Sequence, residues 1–187
     1  MKTHLETPQE IRQQIWKELG RATQDRHHAW RTPVLATASA DDVVNARTVV
    51  LRNVDVRACL LQIFTDVRSA KLTEITHQPT ALFVFWSSRL HWQLRVRVSI
   101  LRLTDGPQLE SLWERVRQSS SASDYLSPSA PGSPLYPDAS LCLDANQKIS
   151  NFAVLNAQVL ELDWLELAST GHRRAKITAD TWDWLTP

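Results

Sequence analysis

Glycine is scarce in this chain, four in 187 residues, and neither type of Gly-rich nucleotide-phosphate loop can be written from them. No GxSxG elbow and no HExxH helix occurs, so the common serine-hydrolase and zinc-peptidase signatures are excluded. The two cysteines, Cys59 and Cys142, stand far apart without CxxC or CxxH context, which removes zinc and disulfide-framework readings and makes a reducing cytoplasm the expected compartment. An excess of one charge is missing too: a formal net charge of +1 gives no global field to attract nucleic acid or an acidic membrane. No apolar run approaches the roughly 18 residues that span a bilayer, and the opening MKTHLETPQE has no apolar signal core. A cytoplasmic protein with neither nucleic acid nor membrane as partner is expected.

What is present has ordinary globular proportions, 43% apolar and 22% charged, at a length that suits a single domain over 1–187. Eight tryptophans follow no repeat and are assigned to core and interface area. Thr7, Pro8 and Glu10 form a capping box with proline at the first helical position. Ile11, Ile15, Leu19 and Ala22 then recur at helical spacing, which predicts an N-terminal helix within 1–31, reaching about Trp30 and packing on a sheet.

From Pro33 the rhythm becomes that of strands: VLATASA, VVNARTVVLRNV and ACLLQIFT, with turns at Asp41–Asp42 and NVDVRA, so sequential antiparallel pairing is expected. SAKLTEITHQ reads as a short helix with Leu72 and Ile75 on one face, ended by Pro79. TALFVFWSS and LHWQLRVRVSILRLT are strands with a turn near Ser87 to Leu90, and QLESLWERVRQ is helical. Residues 119–138 are so rich in serine and proline that a long surface loop is predicted, either a lid or a plain excursion. A helix around 138–153 and the strands AQVLELDWLEL and HRRAKITA complete the chain. Many strands with helices hung between them give a mainly β fold, an antiparallel β-barrel with peripheral helices.

The chemistry-bearing side chains are mostly cations on strands. His27 and His28 are adjacent and point apart on a helix, so they make a poor metal pair. In WQLRVRV the two-residue period puts Gln93, Arg95 and Arg97 on one face and Leu94, Val96 and Val98 on the other. The same rule sets Thr48, Val50 and Arg52 against Arg47, Val49 and Leu51. A solvated outer face accounts for both patterns. FTDVRSAKLTEI is more pointed: a strand ends at Thr65 and a helix starts with Asp66 or Ser69 as N-cap. Arg68, Ser69 and Lys71 crowd donors into a first turn that already favours anions, and a lysine there opposes the helix dipole. A bound phosphate accounts for that arrangement, and so does a solvated helix start.

In order, RTVVLR, FTDVRSAKLTEI, HWQLRVRV and the closing HRRAKI with its late tryptophans and LTP resemble the pyridoxamine 5′-phosphate oxidase-like flavoproteins over about Pro33 to Pro187. The resemblance implies an FMN-binding split β-barrel, with FMN as cofactor and a homodimer whose cofactor site lies between subunits. It carries Arg47 to the arginine of the first FMN motif and Thr48, Val49, Leu51 and Arg52 to the strand along the flavin. Thr65 and Asp66 fall in the second motif, and Ser69 and Lys71 at its phosphate-binding helix start. There Ala70 replaces the usual arginine, and Arg68 is placed to supply the charge. Gln93 and Arg95 fall on the next strand beside the flavin, and Arg174 is carried to a late arginine near the cofactor, Arg173 less securely.

The same resemblance sets limits on activity. The biosynthetic oxidase uses an Arg-x-His pair near its last strand, and Thr170 to Arg174 have no such spacing. Its substrate-phosphate tyrosine, arginine and serine correspond to Trp113, Arg117 and Ser121, with the tyrosine absent. The implied function is an FMN-dependent oxidoreductase of unassigned substrate. The alternatives are the authentic pyridoxamine or pyridoxine 5′-phosphate oxidase and a non-catalytic flavin or small-ligand carrier. Tryptophans such as Trp86 and Trp92 are expected at the subunit interface.

Overall fold

The computed structural model describes residues 7–134 and 151–187. The capping box forms as expected: Thr7 Oγ1 accepts from the Glu10 N–H at 3.3 Å and Glu10 Oε2 accepts from the Thr7 N–H at 3.0 Å. Helix α1 (Pro8–Gln24) buries Ile11, Ile15, Leu19 and Ala22 against the sheet. It stops at Gln24 and not near Trp30; a short 3-10 turn (Ala29–Arg31) then drops Trp30 into the core.

Nine strands follow in one antiparallel sheet: β1 (Val34–Ala38), β2 (Val44–Thr48), β3 (Leu51–Asp55), β4 (Leu60–Asp66), β5 (Thr80–Ser87), β6 (Trp92–Leu103), β7 (Phe152–Glu166), β8 (Arg173–Ile177) and β9 (Trp182–Leu185). Their order is β2-β1-β5-β6-β7-β4-β3, with β8 also on β7 and β9 on β8. Strand β7 is where the barrel splits. Phe152–Gln158 pair with β4 and Leu162–Glu166 with β8, while β6 runs along both halves and shifts register between Arg97 and Val98.

Two further helices hang between strands, α2 (Ala70–His77) and α3 (Pro107–Arg117). No helix among the described residues is long and apolar enough to cross a membrane. The main core joins the α1 stripe to Leu35, Leu51, Phe83, Leu94 and Trp164. A second, smaller cluster joins Leu112, Val116, Tyr125, Phe152 and Val154.

Two expectations are corrected by long-range pairing. The run 44–55 is two strands and not one: β2 pairs with β1 and β3 with β4, so Arg47 and Arg52 lie toward opposite ends of the sheet order, while the alternation across 47–52 persists, with Val49 and Leu51 buried between an exposed Thr48 and half-buried Val50 and Arg52. Sequential pairing fails at that same step, since β2 and β3 are not partners. The helix expected over 138–153 falls largely on 135–150, outside the described residues, and Phe152 and Ala153 already belong to β7. The loop expected over 119–138 contains a 3-10 turn (Ala122–Tyr125) in its described part.

Candidate functional site

The period-2 parity of β6 is realised. Leu94, Val96 and Val98 are fully buried, while Gln93 and Arg95 are half-buried and Arg97 exposed on the other face. There the neighbouring strands supply acids in register: Asp163 opposite Arg95 and Glu161 opposite Arg97. Arg95 reaches Asp163 at 3.2 Å, and Arg174 donates to both oxygens of the same carboxylate at 3.0 and 2.8 Å. Arg97 and Lys176 share Glu161 at 3.1 and 3.4 Å. Arg173 bonds Glu166 through Nε at 2.7 Å. Gln93 lies opposite Trp86 on β5 and Leu165 on β7.

A different arrangement forms where β4 runs into α2. Thr65 is buried, and its hydroxyl accepts from Lys71 Nζ at 2.8 Å and bonds Ser69 Oγ at 3.1 Å. Ser69 occupies the N-cap position of α2 but makes no side-chain cap bond, because its hydroxyl turns to Thr65. Arg47 comes in from edge strand β2, opposite Leu35, on the face that α2 covers. Its Nη2 meets Glu74 Oε2 at 2.9 Å and its Nη1 donates to the Thr37 hydroxyl, which itself donates to Glu74. Asn45 completes the carboxylate's partners at 2.9 Å.

The electrostatics of this pole are lopsided. Burial would push the Glu74 carboxyl up, but the bonds from Thr37, Arg47 and Asn45 and the Arg47 charge bring it below its ordinary value. Lys71 goes the other way for an ammonium: burial first, and then the Arg47 charge, lower its pKa, and Asp66 and Glu74 offset only part. Two cations therefore converge on a spot where both adjoining carboxylates are already engaged, Glu74 by Arg47, Thr37 and Asn45 and Asp66 by Arg68. That is the environment an added anion would relieve, so the residues present fit a phosphate group.

The remaining sequence-predicted residues divide. Val49 and Leu51 are buried, with the Val49 N–H donating to the Pro33 carbonyl at 3.0 Å, and Thr48 faces outward. Arg68 is turned from the pole: it grips Asp66 at 3.0 and 2.7 Å and donates to the carbonyls of Ser127, Pro128 and Ser129, fastening the loop. The structure thus gives Arg68 a loop-holding position and leaves the missing charge at Ala70 unreplaced. Arg52 is half-buried with its guanidinium carbon 5.6 Å from the Phe64 ring centre.

Trp113, Arg117 and Ser121 are not brought together as a grip. Trp113 packs 5.4 Å from Phe152, Arg117 pairs with Glu114 at 2.7 Å on an exposed helix face, and the Ser121 N–H bonds Ser119 Oγ. Trp92 is 4% exposed and packs against Trp164, so of the two interface candidates only Trp86, 47% exposed, presents a surface to a partner. A separate cleft of about 320 Å³, lined by Arg12, Trp16, Arg57, Cys59, Leu162 and Ile177 among others, contains none of the predicted site residues. Glu74, Thr37 and Asn45 escaped sequence reasoning; the three-residue step from Lys71 to Glu74 on one helix was the available signal.

An antiparallel split barrel with a cationic, hydroxyl-lined pole at a helix start defines the structural class. Residues 13–102 match the family model described as pyridoxamine 5′-phosphate oxidase, FMN-binding domain. Among curated proteins, the pyridoxine/pyridoxamine 5′-phosphate oxidase of Azorhizobium caulinodans is 39% identical over 71 residues, 38% of this chain and 32% of that protein. The oxidase of a Cyanothece species is 37% identical over 70 residues, covering 37% and 32%. The matched stretch thus spans about a third of these relatives.

Among solved structures, a pyridoxamine 5′-phosphate oxidase-related, FMN-binding protein of Nostoc punctiforme superposes with TM-score 0.74 at 23% identity, over 98% of this chain and all of that one (100%). PhzG of Burkholderia lata, solved with tetrahydrophenazine-1-carboxylic acid, gives 0.72 at 18% identity, over 99% and 95%. A heme-binding protein of Mycobacterium smegmatis gives 0.54 at 14% identity, over 87% and 57%. The chain thus has the split-barrel fold of these structures, and its residues 13–102 are similar to a domain described as FMN-binding.

Proposed function

We propose that this chain binds FMN and acts as an FMN-dependent oxidoreductase, with the flavin phosphate held by Arg47 and Lys71 beside Thr65 and Ser69. The observation that carries this reading is the meeting of Arg47 and Lys71 over a saturated Glu74. Once bound, the flavin supplies hydride acceptance and return, so no protein nucleophile is required. Lys71 contributes a point charge and Arg47 a planar fork, while Thr65 and Ser69 orient the lysine. Val49, Leu51 and Arg52 would line the flavin from β3 and its approach, and Gln93 would address the ring. Arg95 and Arg174 would act on it from their shared Asp163, and Asp66 through Arg68 would hold the loop that adjoins the site.

Turnover of pyridoxamine 5′-phosphate is not expected, because Trp113, Arg117 and Ser121 form no phosphate grip. A homodimer with the flavin between subunits is supported by the outward Trp86, Val34 and Val44 on neighbouring strands, 47%, 38% and 70% exposed. The test is to purify the protein and denature it. A yellow protein that releases FMN supports the reading. A colourless one that takes up no FMN on incubation overturns it. The carrier alternative is separated by reducing the bound flavin and following reoxidation by oxygen or a pyridine nucleotide, which a pure carrier would not accelerate over free flavin.

A further inference from the structure

Helix α2 turns Leu72 and Ile75 into the core and buries an acid, Glu74, beside them. A carboxylate is seldom buried unless cations and hydrogen bonds answer it. This one accepts from the Thr37 hydroxyl, from Asn45 Nδ2 at 2.9 Å and from Arg47 Nη2 at 2.9 Å. Glu74 stands one turn from Lys71 on the same helix, and its charge acts on that ammonium as well as on Arg47. It thereby offsets the two like charges that meet here in the flavin-free fold. The same negative charge sits beside the cations that a phosphate would have to use.

The other charges of the pole do not alter this balance. Asp66 and Arg68 neutralise one another, and Arg68 reaches away to the carbonyls of 127–129. Position 70, the first of α2, is an exposed alanine. Arg47 and Lys71 set against Glu74 leave one net positive charge, whereas a phosphate monoester carries roughly 1.5 to 2 negative charges at neutral pH. Both ends of the Arg47 fork are also engaged, Nη1 by Thr37 and Nη2 by Glu74. An arriving phosphate must share that fork with Glu74, and the two anions repel one another.

We propose that Glu74 stands in for the flavin phosphate while the site is free and lowers its affinity when it arrives, so that FMN is an exchanging ligand of this chain and not a resident group. The inference rests on the phosphate reading given above. Glu74 acts through Arg47 and is a positioning residue: it holds the guanidinium in place, keeps the flavin-free pole folded and opposes the incoming anion. Its neighbours Thr37 and Asn45 fix the carboxylate on the Arg47 side of the pole, which keeps this opposition built into the fold.

The test titrates FMN and riboflavin, by flavin fluorescence, into wild-type, Glu74→Gln and Glu74→Asp proteins whose folding is checked by melting curves. Glu74→Gln keeps a hydrogen-bonding group and drops the charge, so it should bind FMN roughly tenfold tighter with riboflavin affinity unchanged. Glu74→Asp keeps the charge and should show no such gain. Without flavin, Glu74→Gln should melt below wild type, and FMN should raise its melting temperature by more. Wild-type protein, for its part, should lose its FMN on extended dialysis. A full complement of FMN retained by wild type through dialysis overturns the proposal, whatever the variants do. So does a folded Glu74→Gln protein that binds FMN no tighter, or variants that lose FMN and riboflavin alike. Failure of the flavin reading looks different: wild type takes up neither flavin. In that event a rise in melting temperature with inorganic phosphate that is larger in Glu74→Gln than in wild type supports the role of Glu74, and the lack of one ends it.

Discussion

Two regions carry cations at similar density and use them differently. On the face formed by β6, β7 and β8, Arg95, Arg97, Arg174 and Lys176 each touch Asp163 or Glu161. At the pole between β4 and α2, Lys71 touches a hydroxyl, and Glu74, one turn along the same helix, is saturated by Arg47, Thr37 and Asn45. Pairing in register across adjacent strands stabilises a sheet face at modest gain, because the arginines are 43% and 49% exposed and water screens them. An ammonium packed beside a guanidinium works against folding, and the proposed phosphate would account for its retention. Charge content alone does not separate the two regions; the partners do.

The comparison breaks most visibly at Glu74. Replacing it with alanine strands Arg47 beside Lys71, and unfolding in denaturant should show a loss of roughly 2–3 kcal/mol, less than a fully buried pair because Arg47 keeps some water contact. Next in size is Lys71→Met. FMN affinity should fall by roughly 10- to 100-fold, while the melting temperature of the flavin-free protein stays level or rises, since a like-charge contact has gone. A merely structural lysine would lose stability instead.

The pH dependence follows from the same shifts. Lys71 titrates below its ordinary 10.5 in the folded protein, so unfolding takes up a proton in the interval between the two values. Flavin-free stability therefore gains from this group as pH rises through that interval, while FMN affinity declines. Glu74 titrates below its ordinary 4.5, so its contribution is complete above 4.5 and is lost as pH falls through the folded value. Fluorescence titrations and melts across pH check both limbs, and affinity that is flat up to pH 10.5 would remove Lys71 from the phosphate site. The smallest effect belongs to the paired face: Arg97→Ala should cost about 0–1 kcal/mol, shrink further with added salt and leave FMN uptake unchanged.

Much of this was readable in the residues where the signal is local. The capping box fixed the start of α1, and two-residue alternation placed Gln93, Arg95 and Arg97 opposite Leu94, Val96 and Val98. That parity also puts Trp92 with the buried set, a consequence the interface expectation overlooked. The break at Val49–Val50 was not readable, because the run is uniformly strand-prone and the strands diverge only through their partners β1 and β4. Arg68 looked like a phosphate ligand for the same reason: its carbonyl partners lie 59 to 61 residues further along the chain.

The most direct measurement compares FMN with riboflavin, which has the same ring and no phosphate. If Arg47 and Lys71 hold the phosphate, the wild-type protein should bind FMN roughly 100-fold tighter than riboflavin, and Lys71→Met should close most of that gap. Equal affinity for the two flavins in the wild type would contradict the account.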